Sequence, residues 1–282
     1  MYLFQTAKEL QNHIQNLHQQ GISIGFVPTM GALHAGHLSL IEEAKKIADC
    51  SVCSIFVNPT QFNDPKDLEK YPRTPDKDAQ LLESVGNDIL FMPTPEEVYP
   101  QGLNTHLELD FGTLAGVMEG AFRPGHFQGM AEVVKRLLDL VTPEILLMGQ
   151  KDFQQFTIVK HMIKQLAMPT QLVMGATVRE TDGVAMSSRN VRLSPENRSK
   201  APVIFETLQW AKKMLRTLPL KTIQEMALQK LQSVGFEPEY FEIVNTDTLM
   251  SINDPLDATA IVACTALWAG GVRLIDNVIL TD

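Results

Sequence analysis

The chain has 282 residues, 44% hydrophobic and 20% charged, which suits a soluble protein with a large core divided between two domains. Its 33 acidic and 24 basic residues leave a formal net charge of −9, which argues against an extended nucleic-acid interface. An anionic small molecule is not excluded, because a pocket can be locally positive on an acidic protein.

No apolar stretch is long enough to span a bilayer and no secretory leader is visible, so a cytoplasmic location is expected. Residues 1–20 read as an amphipathic helix with Leu3, Leu10, Ile14 and Leu17 on one side. Strand-like runs at 22–27, 51–57, 88–91, 145–148 and 171–176 then alternate with helical patterns at 38–48, 76–84, 129–140 and 153–166. Alternation on this scale implies a parallel sheet with helices on both faces, a Rossmann-like α/β domain over residues 1–176. Residues 93–125, rich in Pro and Gly, read as a long loop whose stretch 99–105 is connection.

After residue 190 the pattern changes. Ser194-Pro195-Glu196 supplies an N-cap and a Pro at the first helical position, starting a helix to about 215. A second helix at 220–234, a strand at 240–244, and a hairpin of 258–267 with 272–280 turned at Gly270-Gly271 follow. Residues 177–282 are therefore expected to form a smaller α+β domain.

Cys50-Ser-Val-Cys53 spells a CxxC, but it lies in a strand-like run where alternation puts the two side chains on opposite faces. Cys264 is the one other thiol, so the pair reads as core.

The segment Met30-Gly31-Ala32-Leu33-His34-Ala35-Gly36-His37 sits between the first alternating strand and the helix that follows it. The first turn of a helix leaves backbone N–H groups unpaired and carries partial positive charge, so it attracts phosphate. Gly31 and Gly36 remove side chains that would hold a nucleotide off the backbone, and the two imidazoles can donate to phosphate oxygens. In open parallel sheets ligands bind beyond the carboxyl ends of the strands. The turns at 30–37, 58–63 and 149–155 all follow strands and are expected to meet at one crevice.

His34-Ala-Gly-His37 resembles the HxGH signature of the nucleotidylyltransferase and class I aminoacyl-tRNA synthetase superfamily. Six ordered blocks narrow the likeness: 28–37, 56–63, 71–76, 123–129, 149–155 and 186–190 together resemble the pantothenate synthetase (pantoate–β-alanine ligase) family. The resemblance implies an ATP-dependent, AMP-forming ligase that joins (R)-pantoate to β-alanine through a pantoyl-adenylate. It also implies a homodimer, with Mg²⁺ accompanying the ATP.

Carried onto this chain, the resemblance makes His34, His37, Lys151 and Arg189 the catalytic donors to the phosphates. ATP would be contacted by Met30, Gly31, Ala32, Leu33, His34, Ala35, Gly36, His37, Gly149, Gln150, Lys151, Asp152, Val178, Met186, Ser187, Ser188 and Arg189. Gln61, Gln155, Asn58 and Arg123 would hold pantoate, with His126 beside them. Met186-Ser-Ser-Arg189 departs from the KMSKS loop of the superfamily, with Ala185 and Ser188 where that motif has lysines, so the cationic task passes to Lys151 and Arg189. Asp76 and Asp78 are the acidic pair nearest a motif block. A helix N-terminal charge pair explains them equally well, and no protein ligand to Mg²⁺ is assigned.

Two other readings compete with the ligase. A nucleotidylyltransferase would share the HxGH turn but has no need of the Gln61 and Gln155 blocks. A non-catalytic RNA-binding relative is disfavoured by the acidic balance.

Overall fold

A computed structural model describes every residue except 63, 64, 104–108 and 282, and excludes the side chains of 65–67 and 257. The end of the 58–63 turn and residues 104 and 105 of the expected connection therefore lie outside the described residues. The chain divides into two compact units whose segments interleave in sequence.

The first unit comprises residues 1–111, 123–149 and 158–176. Its sheet contains β1 (Tyr2–Phe4), β2 (Ile24–Thr29), β3 (Cys50–Ile55), β4 (Ile89–Phe91), β5 (Ile145–Gly149) and β6 (Gln171–Gly175), in the order β1-β4-β3-β2-β5-β6. Every pairing is parallel. The chain runs outward from β2 through β3 to β4, then returns to place β5 on the opposite side of β2. The switch point therefore lies between β2 and β5, directly before the HxGH turn.

In chain order between these strands come helices α1 (Ala7–Gln19), α2 (Ala35–Ile47), α3 (Pro65–Lys70), α4 (Pro75–Ser84), α5 (Pro95–Val98), α6 (Glu119–Phe122), α7 (His126–Val141) and α8 (Phe153–Gln165), of which α6 and the first five residues of α8 belong to the second unit. Strands β2 and β3 are buried almost throughout, as expected of parallel strands covered on both faces. Val27, Cys53, Leu90 and Leu147 of four adjacent strands form one cluster with Leu33, Leu40, Ile41, Ala44 and Leu82. Leu33 and Leu40 flank the two histidines, so apolar burial pins the HxGH turn on both sides.

The expected helix at 1–20 is corrected at its start. Tyr2–Phe4 extends and pairs in parallel with β4, and Leu3 is 54% exposed instead of lying on an apolar helix face. Tyr and Phe favour extended backbone, and Thr6 begins the helix by accepting from the Glu9 N–H. Inside 93–125, α5, α6 and a 3-10 turn (Gly112–Ala115) occupy part of what reads as loop.

The second unit comprises residues 112–122, 150–157 and 177–282. It carries α9 (Pro195–Lys200), α10 (Pro202–Met214), α11 (Leu220–Ser233) and an antiparallel sheet of β7 (Glu237–Asn245), β8 (Ile261–Ala269) and β9 (Val272–Ile279). The single helix expected from 194 to 215 is two helices. Pro202 has no N–H to continue the ladder, and the break falls at Ala201. Leu208, Ile223, Leu231, Ile243, Ala263 and Leu267 form the core between helices and sheet. Among the described residues no helix is long and apolar enough to cross a membrane.

Cys50 and Cys53 both lie buried in β3, and Cys264 is buried in β8. Burial pushes the Cys50 thiol up to about 11 and the Cys53 thiol up to about 12. Since the thiolate is the nucleophile, all three cysteines should resist alkylation at pH 8 in the native protein and react once it is unfolded in denaturant. Cys53→Ala should lower stability by about 1 kcal/mol in a denaturant titration. Fast labelling of Cys50 or Cys53 in the native state, read by mass spectrometry, would contradict their core role.

Candidate functional site

The turn after β2 is built so that its backbone donors are paired. Thr29 Oγ1 donates to the Ser54 carbonyl at 2.8 Å and accepts from the Gly31 N–H at 3.2 Å. Ala32 N–H and Leu33 N–H donate to the two oxygens of Asp78 at 2.9 and 2.8 Å. Asp78 is 1% exposed, in the first turn of α4, and accepts a third bond from Thr74 Oγ1 at 3.2 Å. Gly31 has φ +82°, and a Cβ there would come within 3.1 Å of an Asp78 oxygen and 3.0 Å of Ile55. A side chain at this position would therefore be strained twice, by backbone and by space.

His34 is the N-cap of α2, and the two histidines cap each other's backbone. His34 Nδ1 accepts from Gly36 N–H at 3.2 Å, while His37 Nδ1 accepts from His34 N–H at 3.4 Å. A nitrogen that accepts a hydrogen bond carries no proton, so each neutral ring bears its proton on Nε2. The rings lie 4.1 Å apart between centroids. Each ring at the first turn of α2 thus has an Nε2–H donor without being charged, and the two rings are tilted by 36° to each other.

The turn after β3 is held with equal economy. Asn58, 1% exposed, accepts from the Tyr99 hydroxyl at 2.9 Å and from Thr60 Oγ1 at 3.1 Å. Its amide donates to the Gly129 carbonyl at 3.2 Å and to Gln61 Oε1 at 3.3 Å. The Asn58 side chain is therefore occupied in shaping the turn. Gln61 completes the group by donating from Nε2 to the Met30 sulfur at 3.0 Å, which ties this turn to the HxGH turn. Gly129 is required at its position, since a Cβ would meet the Thr60 carbonyl oxygen at 2.5 Å.

His126, the first residue of α7, is buried beneath the same turn. Arg123 can only donate, so its 3.1 Å contact makes His126 Nε2 the acceptor. Nδ1–H then donates to the Gln61 carbonyl at 2.9 Å. Met30, Asn58, Gln61, Arg123 and His126 are thus brought together with His34 and His37 in the first unit.

The remaining expected residues, Gly149 apart, belong to the second unit. Gly149 ends β5, and Gln150, Lys151 and Asp152 form a 3-10 turn of the second unit. Lys151 Nζ lies 3.1 Å from Asp152. Gln155 is half-buried in the first turn of α8. Its neighbour Gln154, for which the sequence suggests no role, is buried and bonds the Glu119 N–H and the Leu114 and Val117 carbonyls at 2.7–3.0 Å.

Val178 and Met186 close a short hairpin through a 3.0 Å backbone bond, flanking the Arg179–Ala185 bridge. Ser187 Oγ accepts from Arg189 N–H at 3.2 Å and Asn190 donates to the Ala185 carbonyl at 3.1 Å, so Ser187, Ser188 and Arg189 sit in an ordered turn.

A parallel sheet with paired imidazoles at the first helical turn after its switch-point strand defines the HxGH class of α/β proteins. Residues 2–279 match the family model for pantoate-beta-alanine ligase. Pantothenate synthetases from Azobacteroides pseudotrichonymphae and Phocaeicola vulgatus are 43% and 45% identical, each aligned over 99% of both chains. The crystal structure of pantothenate synthetase from Thermus thermophilus superposes with a TM-score of 0.93 at 39% identity, covering 100% of both chains. That of pantoate-beta-alanine ligase from Francisella tularensis, described as complexed with beta-gamma ATP and beta-alanine, gives 0.84 at 36% identity over 99% of this chain and 98% of that one. The chain belongs to the pantoate–β-alanine ligase family, whose members are carbon–nitrogen ligases.

Asp78 is the residue whose task the sequence conceals, because its partners lie 45 and 46 positions away. Asp78→Ala would orphan two backbone donors at about 1–3 kcal/mol each. A loss of about 2 kcal/mol of stability and at least a tenfold fall in turnover are expected, with Asp78→Asn milder because one oxygen remains. Unchanged melting and turnover in Asp78→Ala would show that the turn holds its shape without the carboxylate.

Proposed function

We propose that the chain condenses (R)-pantoate with β-alanine at the expense of ATP, releasing AMP and pyrophosphate through a bound pantoyl-adenylate. The paired imidazoles at the start of α2 carry this reading. They supply neutral, oriented N–H donors beside a helix N-terminus, which suits a phosphate whose charge grows during attack. The beta-gamma ATP and beta-alanine of the Francisella complex support ATP and β-alanine as ligands for this chain.

In the first step a pantoate carboxylate oxygen attacks the α-phosphorus and the bond to pyrophosphate breaks. His34 and His37 hold the α-phosphate oxygens, and Lys151 and Arg189 supply positive charge to the leaving pyrophosphate. Gln61 and Gln155 bind pantoate through amides, which recognise its hydroxyls without adding charge. Arg123 joins Gln61 in this task, to whose backbone it is linked through His126. In the second step the β-alanine amine attacks the acyl carbon and loses a proton. The acyl C–O bond breaks, and AMP leaves with the former carboxylate oxygen.

A mixed anhydride hydrolyses if water enters, so the region 177–282 is assigned the part of a lid, with Val178 and the 186–189 turn as its ATP-facing elements. Among the described residues no group of three or more His, Cys, Asp or Glu could cage a cation. Mg²⁺ keeps several waters and leans on substrate phosphates, so it would arrive on the nucleotide, and the roles of His34, His37, Lys151 and Arg189 do not depend on it. A homodimeric, cytoplasmic enzyme is proposed with this activity, and sedimentation of the purified protein tests the dimer.

With pantoate and ATP but no β-alanine, labelled pyrophosphate should exchange into ATP. Addition of β-alanine should then release AMP and amide, and oxygen-18 from the pantoate carboxylate should appear in AMP. ADP and phosphate as products would mean attack at the γ-phosphate and end the adenylate reading. A nucleotidylyltransferase would instead leave AMP attached to its acceptor. His37→Ala and Lys151→Ala should each slow the chemical step by on the order of 10²-fold while remaining folded. Near wild-type turnover in either would remove that residue from the mechanism.

A further inference from the structure

The sequence Arg273-Leu-Ile-Asp-Asn277 on β9 has no part in the chemistry above, yet its last two residues are 4% and 2% exposed. Asn277 Nδ2 donates to the carbonyls of Gln150 and Lys151 at 2.9 and 2.8 Å, and its Oδ1 accepts from Gln150 Nε2 at 3.1 Å. The side chain of one buried residue thus grips the turn that carries Lys151 by three bonds.

Asp276, the preceding residue, faces a different segment. Its two oxygens accept from both terminal nitrogens of Arg179 at 2.7 and 3.0 Å, and one of them also takes the Asn277 N–H at 2.8 Å. Arg179 donates onward to the Gly183 carbonyl at 3.0 Å and lies 3.8 Å over the Phe205 ring. It therefore spans the hairpin of 178–186, whose continuation is Ser187-Ser188-Arg189. A planar guanidinium in a bidentate pair, with an aromatic beneath it, has little freedom to tilt.

We propose that Asp276 and Asn277 form a single positioning node, which sets the Lys151 turn and the Arg179 hairpin leading to Arg189 in fixed relation to each other. Neither residue touches substrate in this scheme. Both act through the cations they hold in place, and the proposal rests on the roles proposed for Lys151 and Arg189. Two adjacent residues of one strand are well suited to this, because successive strand residues point to opposite sides while the strand backbone keeps their separation constant. A misplacement of the order of 1 Å in a positioned charge can cost about 10²-fold in rate. A node of this kind therefore affects turnover out of proportion to its effect on folding.

The test is a double-mutant cycle on the intact enzyme, measured as kcat for ATP-dependent pantothenate formation. Asn277→Ala should lower kcat at least tenfold in the wild-type background and less than twofold in the Lys151→Ala background, because the group it positions is already gone. Asn277→Asp, which turns two donors into a carboxylate facing two carbonyls, should be at least as slow as Asn277→Ala. Arg179→Lys keeps the charge and loses the fork, and should be silent in the same way when combined with Arg189→Ala. This second cycle decides the matter if the Asn277 variants do not fold. Equal losses in both backgrounds would overturn the node and leave the enzyme's activity assignment standing. Full turnover in Lys151→Ala would remove the underlying role of Lys151 and the node with it.

Discussion

The backbone donors between β2 and α2 impose the constraint on which the proposed site depends. A chain leaving a sheet to begin a helix exposes N–H groups that neither element pairs. In this turn Thr29 takes the amide of Gly31, Asp78 takes those of Ala32 and Leu33, and the two histidines take those of Gly36 and His34. The imidazoles are therefore structural, besides the chemical role proposed for them. Capping fixes their tautomer, and the tautomer decides that Nε2 carries the donor proton. A serine or aspartate cap would satisfy the helix equally well but would leave no ring nitrogen in that position.

The second unit is organised around buried ion pairs. Arg273 donates to Glu119 at 2.6 and 2.8 Å and to Glu239 at 2.6 and 2.9 Å, while the Tyr240 hydroxyl donates to Glu119 at 2.9 Å. Burial, with the Glu119 charge beside it, pushes the Tyr240 phenol well up, so it remains a donor. Loss of one member of such a group leaves an uncompensated buried charge at about 3–5 kcal/mol. The group explains why 112–122, which reads as part of a loop, belongs with the antiparallel sheet: its one carboxylate is anchored there, and Gln154 holds its backbone.

What was legible in the chain follows from the range of the interactions concerned. Period-2 and period-3.6 patterns are local, and they placed β2 to β6 and helices α2, α4, α7 and α8 to within a few residues. The HxGH turn was legible because its mutual capping is contained in four consecutive residues. β1 runs almost directly into α1 and is hidden by the apolar pattern of that helix, and its partner β4 lies more than 80 positions away in the chain. Pro202 was a readable stop that the apolar pattern on either side concealed. Asp78 and Asn277 were illegible for a deeper reason. An aspartate at a helix start and an asparagine in a strand are both ordinary, and their meaning lies in backbone atoms 45–46 and 126–127 positions away.

A protein of net charge −9 that is proposed to bind a polyanion has to do so with little positive charge to spare. The residues assigned to the phosphates reflect this. Two are imidazoles that donate while neutral, the helix N-terminus adds a backbone dipole, and of the two cations, Lys151 and Arg189, Lys151 is already balanced by Asp152 at 3.1 Å. Donors of this kind are useful only when aimed, because a neutral N–H loses its advantage steeply as its angle to the acceptor falls. The clamps provided by Asp78 and Asn58, and the node proposed at Asp276 and Asn277, are what orientation demands when strong net charge is not available. The share of buried polar side chains devoted to holding turns, and not to substrate, is then a consequence of the electrostatics of the chain as a whole.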